Sequence, residues 1–559
     1  MFQGQKKRRS RSAHNVRAAW ALVAALPLTL ALSGCAEQIQ QLVPAGPSEK
    51  QSDTESSAAI TATPSKKQGI PQGFEDYYTQ EIAWTKCTPD QVVGEFMPTP
   101  SDMAAYECAT LSAPMNWDDP KSPPIELGIA RHLGKKMDAT LPPLFFNLGG
   151  PGGDAVGSLS GFVENILTAQ LAARYETVAL DPRGVGTSTP IWCMTDRERD
   201  EDLARDLETE GLSTEELVDL YTKEIQEFGQ QCLERNGEIL GYVDSDSVAR
   251  DFDMARAALG ADQIDYMGFS YGTVIGALYA DLFPTHVANF MLDGPVDLSL
   301  NSSEVSALQL EGMEKSLYHW IEECQATKSC PLTGDLESGK EQMIALFEQA
   351  DQEPIPTSDP DRPLDGGLLR TAVIGSLYST SMYPLLNEGV AQAKRGDGSA
   401  LLFLADYYND RGDDGVYTAN SADAFAAVNM LDYEPTGTPE QWQEESDAFA
   451  EKYPVLGSDF GFGAAGMEAW PVESRALRRH VTAAGAGKIL VIGTTNDPAT
   501  PYVMAEALAE ALEGGVLVTV DGWDHTAYNR DASRCLTRTV DAFMLGGVVP
   551  EEGLVCPSS

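Results

Sequence analysis

The chain has 559 residues and 43% apolar content, long enough for a large core with an insertion. It carries 84 Asp+Glu against 39 Lys+Arg, a formal net charge of −45, and six of the bases (Lys6, Lys7, Arg8, Arg9, Arg11 and Arg17) precede residue 35, where there are no acids. A field of that sign repels nucleic acid and anionic lipid, excludes nucleic-acid binding, and favours solubility and cationic ligands.

The basic start leads into the apolar run Ala18–Leu32, short for a membrane span and suited to the hydrophobic region of a signal peptide. The small residues of Leu32-Ser33-Gly34-Cys35 resemble a bacterial lipobox, which implies cleavage after residue 34 and lipidation of Cys35. Residues 35–80 are rich in Gln, Ser, Thr, Pro, Ala and Lys and read as a flexible tether, with Trp84 and Cys87 announcing the folded part. An exported protein is expected, held on the extracytoplasmic face by its lipid or secreted. Eight further cysteines (Cys87, Cys108, Cys193, Cys232, Cys324, Cys330, Cys535 and Cys556) form an even set, read in that compartment as disulfides. Their connectivity is open; sequential pairing is the simplest, since each pair closes a local loop. No metal-binding spacing occurs, and neither a metal nor a cofactor is expected.

Strands are predicted at Ile125–Arg131, Pro143–Leu148 and Glu176–Leu180, the second leading into Asn147-Leu148-Gly149-Gly150-Pro151-Gly152-Gly153. Residues 195–245 read as an acidic helical insertion, with a capping-box spacing at Ser213–Glu216. A helix over Asp246–Leu259 feeds the strand Ile264–Met267, and Val287–Leu292 is a further strand. From about 303 to 479 the pattern turns helical, as in Ser306–Glu323 and Pro439–Lys452; strands return at Lys488–Gly493 and Gly515–Val520. Strands alternating with helices argue a parallel sheet. The interruption reads as a helical cap over 301–485, inserted between core segments 81–300 and 486–559.

Between the strand at 264 and the helix after it lies Gly268-Phe269-Ser270-Tyr271-Gly272. A G-x-S-x-G in that context is the nucleophile elbow of an α/β-hydrolase, whose tight turn demands the glycines. A serine needs a base to take its proton and a carboxylate to orient that base, in the chain order Ser, acid, His. Of the six histidines, only His525 follows the last two strands. Asp497 follows the strand ending at Gly493, with Thr500 and Pro501 suited to cap the next helix; Asp293 is the rival acid. The predicted catalytic set is Ser270, Asp497 and His525. The oxyanion donors are the N–H groups of Tyr271 and Gly150.

Together, Asn147–Gly153, Asp181–Ser188, Gly268–Gly272 and Asp497–Pro501 resemble the proline iminopeptidase group, and more closely the exported tripeptidyl aminopeptidases of actinobacteria. The resemblance runs from about residue 80 to the C-terminus and is weak through the cap. It implies a serine exopeptidase releasing short peptides, often tripeptides, from free N-termini of peptides or proteins. Two features depart from it. Asn147-Leu148 stands where the iminopeptidase loop begins with His, and no cysteine shortly precedes Trp470-Pro471. A carboxylate must bind the substrate ammonium about 10 Å from Ser270, the span of three extended residues; Asp297, Glu468 and Glu473 are the options considered. A carboxylesterase or lipase with the same triad, or a non-catalytic peptide-binding lipoprotein, are the alternatives.

Overall fold

The computed structural model describes residues 70–94, 99–138, 141–205, 207, 209, 211–475 and 478–558. The leader, Cys35 and most of the tether lie outside the described residues. Among those described, no helix is long and apolar enough to cross a membrane.

One ten-stranded sheet organises the chain. Its strands are β1 (Thr85–Lys86), β2 (Tyr106–Pro114), β3 (Pro124–Leu133), β4 (Leu144–Asn147), β5 (Glu176–Leu180), β6 (Ile264–Phe269), β7 (Val287–Asp293), β8 (Ile489–Thr494), β9 (Gly515–Asp521) and β10 (Val555–Pro557). The spatial order is β1-β2-β3-β5-β4-β6-β7-β8-β9-β10. Pairs among β1, β2, β3 and β5 are antiparallel, and every pair from β5 onward is parallel. This is an α/β-hydrolase sheet. Each residue of β4, β6 and β8 is buried, as parallel strands covered on both faces must be. Two apolar clusters flank the sheet: one holds Phe145, Tyr266 and Leu292, the other Phe146, Met267 and Ile492.

The predicted strands are present, and three more join them at the edges. Strand β2 mixes small and polar residues (Glu107, Thr110 and Ser112 are not buried) and lacks an apolar run; its nine-residue register with β3 and the Cys87–Cys108 bridge hold it. The packed body also begins earlier than Trp84. Phe74 and Tyr78, inside the stretch read as tether, are buried with their rings 5.1 and 6.1 Å from that of Trp117.

The acidic insertion contains the helices Asp196–Leu203 and Thr214–Asn236, the second opened by the Ser213–Glu216 capping box. The cysteines pair sequentially, as Cys87–Cys108, Cys193–Cys232, Cys324–Cys330 and Cys535–Cys556; Cys193–Cys232 closes the insertion at both ends. Between β7 and β8 run the helices Ser302–Gln325, Leu336–Gln352, Gly366–Ser376, Tyr383–Ala393, Ser399–Tyr408, Ser421–Asp432 and Pro439–Lys452. Most of them share a cluster around Trp320, Leu369 and Leu401. Ser421–Asp432 instead packs Ala427 and Leu431 into the cluster that holds Tyr271 and Val274.

Asp265, buried in β6, accepts the Asn289 N–H at 2.7 Å through Oδ1, while its Oδ2 lies 2.7 Å from Tyr175 Oη. That phenol is also 2.6 Å from the Met544 carbonyl. One phenol proton cannot serve two acceptors, so both contacts are hydrogen bonds only when Asp265 is protonated. Burial pushes its pKa up to about 7. A carboxyl raised this far above its unfolded value of about 4 contributes stability at low pH that is lost as pH rises through about 7. Asp265→Asn keeps both contacts without ionising. The difference in melting temperature, variant minus wild type, is expected to be smaller at pH 5 than at pH 8, because the loss in wild type runs between about pH 4 and pH 7. A flat difference would refute the assignment.

Candidate active site

Ser270 sits between β6 and the helix Gly272–Leu282 with φ +53°. A left-handed conformation is costly for a residue with a side chain, and here the surroundings impose it. The Ser270 N–H donates to the Asp293 carbonyl at 2.9 Å, and the Ser270 carbonyl accepts from Thr273 N–H at 2.9 Å and Oγ1 at 2.6 Å. The flanking glycines allow the close approach. A Cβ at Gly268 would lie 2.5 Å from the Gly272 carbonyl oxygen, and one at Gly272 would lie 2.3 Å from that of Asn147.

His525 Nδ1 lies 2.7 and 2.9 Å from the two Asp497 oxygens. Asp497 Oδ1 also accepts N–H bonds from Ala499 (2.9 Å) and Thr500 (2.8 Å), and Oδ2 accepts from Thr526 (3.2 Å). Both side chains are buried. An imidazole fixed at Nδ1 by a carboxylate presents Nε2 as an acceptor, and His525 Nε2 is buried without a hydrogen bond. Thr500 departs from its expected place. The helix runs Tyr502–Ala511 with Pro501 as its N-cap residue, and the Thr500 hydroxyl turns instead to Asp497 Oδ2 at 3.2 Å.

Asp293, the rival acid, is engaged elsewhere. Its carboxylate accepts the N–H groups of Ala527 (2.9 Å) and Tyr528 (2.7 Å), holding the backbone just after His525. Burial and the nearby Asp497 charge raise its pKa to about 7, against the pull of those two N–H groups. The cap holds the same loop from the other side. His525 N–H donates to the Tyr378 carbonyl at 2.8 Å, and Asp524 accepts the Thr380 N–H at 2.6 Å.

The glycine-rich loop lies against the elbow. A Cβ on Gly149 would come within 2.9 Å of Ser270 Cβ and 3.1 Å of Tyr271 N. Asn147, where the iminopeptidase pattern has His, accepts the Gly149 N–H through Oδ1 at 2.9 Å. Among the described residues, no acceptor takes the N–H of Gly150 or Tyr271. Two free donors beside the nucleophile are what a developing oxyanion needs. Asp181 secures this loop, its Oδ1 accepting Ala155 and Val156 N–H at 2.8 Å each and its Oδ2 accepting Thr187 N–H at 2.8 Å.

Ser270, Tyr271, Gly150, Pro151 and Thr500 line a cleft of about 100 Å³, roofed by Ser302, Val305, Tyr378, Phe425, Met430, Tyr433 and Met467. Of the acids considered for an ammonium, Glu468 and Glu473 are exposed, and Asp297 accepts Ser299 N–H at 2.9 Å. None lines the cleft. Arg478 does, and nothing in its sequence setting singled it out. Among the described residues no cluster of His, Cys, Asp or Glu could hold a metal ion.

A family model described as TAP-like protein matches residues 453–556. Carboxylesterase B of Mycobacterium tuberculosis is 35% identical over 485 residues, covering 85% of this chain and 89% of that protein. Serine protease Hip1 of the same organism is 32% identical, covering 85% and 91%. The chain belongs to the tripeptidyl aminopeptidase-like serine hydrolases. A tripeptidyl aminopeptidase of Streptomyces lividans is more distant, 25% identical with 85% and 86% covered.

In this TAP-like hydrolase the two acids are separable by experiment. With a short-chain ester as substrate, Asp497→Asn is expected to lower kcat roughly 10⁴-fold by releasing the imidazole from its tautomer. Asp293→Asn, which only loosens the loop, is expected to cost about 100-fold or less. Equal losses would refute this division of roles, and a larger loss in Asp293→Asn would make Asp293 the working acid.

Proposed function

We propose that this TAP-like hydrolase is an exported serine exopeptidase that releases short peptides, tripeptides among them, from the N-terminal ends of peptide or protein chains. The observation that carries the reading is the cap over the nucleophile. Tyr378, Phe425, Met430 and Tyr433, all from the segment between β7 and β8, line the cleft together with Ser270 and Gly150. A chain that reaches Ser270 meets the cap on one side, which favours entry by its end. The cap's contact with the glycine-rich loop supports this, since a Cβ on Gly152 would lie 2.4 Å from the Ser421 carbonyl oxygen.

In the reaction, Ser270 Oγ attacks the scissile carbonyl while His525 Nε2 takes its proton, and the imidazolium formed is stabilised by Asp497. The N–H groups of Tyr271 and Gly150 bind the oxyanion. Collapse expels the amine, protonated by His525, and water releases the acyl group by the same path in reverse. The leader sequence and four disulfides support an extracytoplasmic location, with lipid on Cys35 as the only membrane contact. The natural partners in this reading are peptides.

One observation favours a second reading. The cleft walls are largely apolar and include no carboxylate, which suits an ester and leaves a substrate ammonium without a counter-charge there. Protein lacking residues 1–35 should be tested on a tripeptide anilide with a free amine, its N-acetylated twin and a short-chain ester. Hydrolysis of the free-amine anilide at least tenfold faster than its twin, abolished by Ser270→Ala, is the expected outcome. An indifferent response to acetylation with the ester dominant would establish the carboxylesterase reading.

A further inference from the structure

Buried arginines in this fold are saturated with acceptors. Arg183 donates to both Asp251 oxygens and to the carbonyls of Met115, Tyr242 and Pro114. Arg370 binds Asp459 through Nε and both Asp351 oxygens through its terminal nitrogens. Arg478 is built differently. Its residue is only partly exposed, yet Nε and Nη1 are buried and neither has a hydrogen-bond partner. Its Cζ lies 4.4 Å from the ring centroid of Tyr433 and 5.9 Å from that of Tyr271, the residue after the nucleophile. Among the described residues it is the one formal charge on the wall of the Ser270 cleft.

The nearest carboxylate does not serve it. Asp432 Oδ1 accepts the Ser245 N–H at 3.1 Å, and Oδ2 is bonded to the hydroxyls of Ser245 and Tyr271. Neither Nε nor Nη1 of Arg478 has a carboxylate partner among the described residues. Burial opposes its charge and the Asp432 and Asp297 charges favour it, and the guanidinium stays protonated. Unpaired buried donors are rare in native proteins, and a desolvated cation without a partner is costlier still. A guanidinium matches the geometry of a carboxylate or a phosphate, and of these a peptide substrate carries the carboxylate.

We propose that Arg478 is a specificity residue that receives a carboxylate of the substrate, so that the cleft selects substrates bearing an acidic group near the scissile carbonyl, on either side of it. The proposal rests on the Ser270 cleft being the substrate site, as in the preceding section. Two sources carry that chemistry, an Asp or Glu side chain on the acyl portion and the terminal carboxylate of a short peptide.

The test uses matched pairs, so that each preference is a ratio independent of the folded fraction. The first pair is a free-amine tripeptide anilide with Glu or Gln, placed at each of the three positions in turn. The second is an unlabelled tetrapeptide as the free acid or the amide. In wild type, one pair is expected to favour the carboxylate by about 30-fold or more in kcat/KM, falling to near one in Arg478→Gln and lying between in Arg478→Lys. A preference in the first pair assigns the side chain, and one in the second assigns the chain terminus.

The same comparison is read on Ser270 without turnover. Glutarate, but not its diamide, should slow labelling of Ser270 by a fluorophosphonate in wild type, and Arg478→Gln should lose the difference. Ratios near one in wild type together with equal effects of glutarate and the diamide would overturn the proposal. So would a preference that survives Arg478→Gln. Labelling and turnover that persist in Ser270→Ala would instead overturn the catalytic reading beneath it.

Discussion

Asp293 joins the two halves of the catalytic apparatus. Its carbonyl accepts the N–H of Ser270, and its carboxylate accepts the N–H groups that follow His525. The residue ends β7, paired with Phe269 on one side and Ile492 on the other. Nucleophile and histidine loops, separated by 255 positions in the sequence, are thereby set from one point of the sheet. The strain at Ser270, on the order of 1–3 kcal/mol for a side-chain residue at positive φ, persists only because several contacts over-determine it. The Thr273 bonds, the tight packing at Gly268 and Gly272, and the Asp293 carbonyl all fix that conformation.

The cap belongs to this constraint and is not a detachable roof. Tyr378 and Thr380 bind the backbone and Asp524 of the histidine loop, while Asp432 binds the hydroxyl of Tyr271. Asn420 donates to the carbonyls of Gly184 and Ile191 at 2.7 Å each and accepts the Gly186 N–H at 3.0 Å. The run Asp181–Ser188 therefore has a scaffold role. Its aspartate braces the glycine-rich loop, its arginine anchors Asp251, and its turn seats the cap. Displacing the cap would disturb the histidine and the residue after the nucleophile together.

The legible parts of the sequence are those where local pattern and tertiary role coincide. Strand β8 is an almost continuous apolar run because both faces are covered, and Ser270 stands out because its turn requires glycines on either side. His525 could be read because it alone among the six histidines follows the last two predicted strands. Strand β2 could not, since Tyr106–Pro114 owes its place to pairing and a disulfide rather than to an apolar stripe. Phe74 and Tyr78 were hidden among polar neighbours for the same reason. Thr500 has the chemistry of a helix cap, but Asp497 offers its hydroxyl a stronger acceptor, a competition visible only in three dimensions. Arg478 is the extreme case, because its meaning lies in the partners it lacks.

The division of charge around the site follows from the same accounting of donors and acceptors. In a chain with 84 acidic residues, the carboxylates nearest the cleft are already acceptors. Asp181, Asp293 and Asp497 hold backbone N–H groups, Asp432 holds Ser245 and Tyr271, and Asp524 holds the cap. None of these acids lines the cleft wall, so a substrate ammonium has to be bound beyond it. An incoming carboxylate meets donors that nothing else uses. The overall negative charge thus says little about what the cleft prefers. That preference is set by which polar groups the fold leaves unpaired, and among the described residues lining the cleft those include the N–H groups of Tyr271 and Gly150, the Ser302 hydroxyl, and Nε and Nη1 of Arg478.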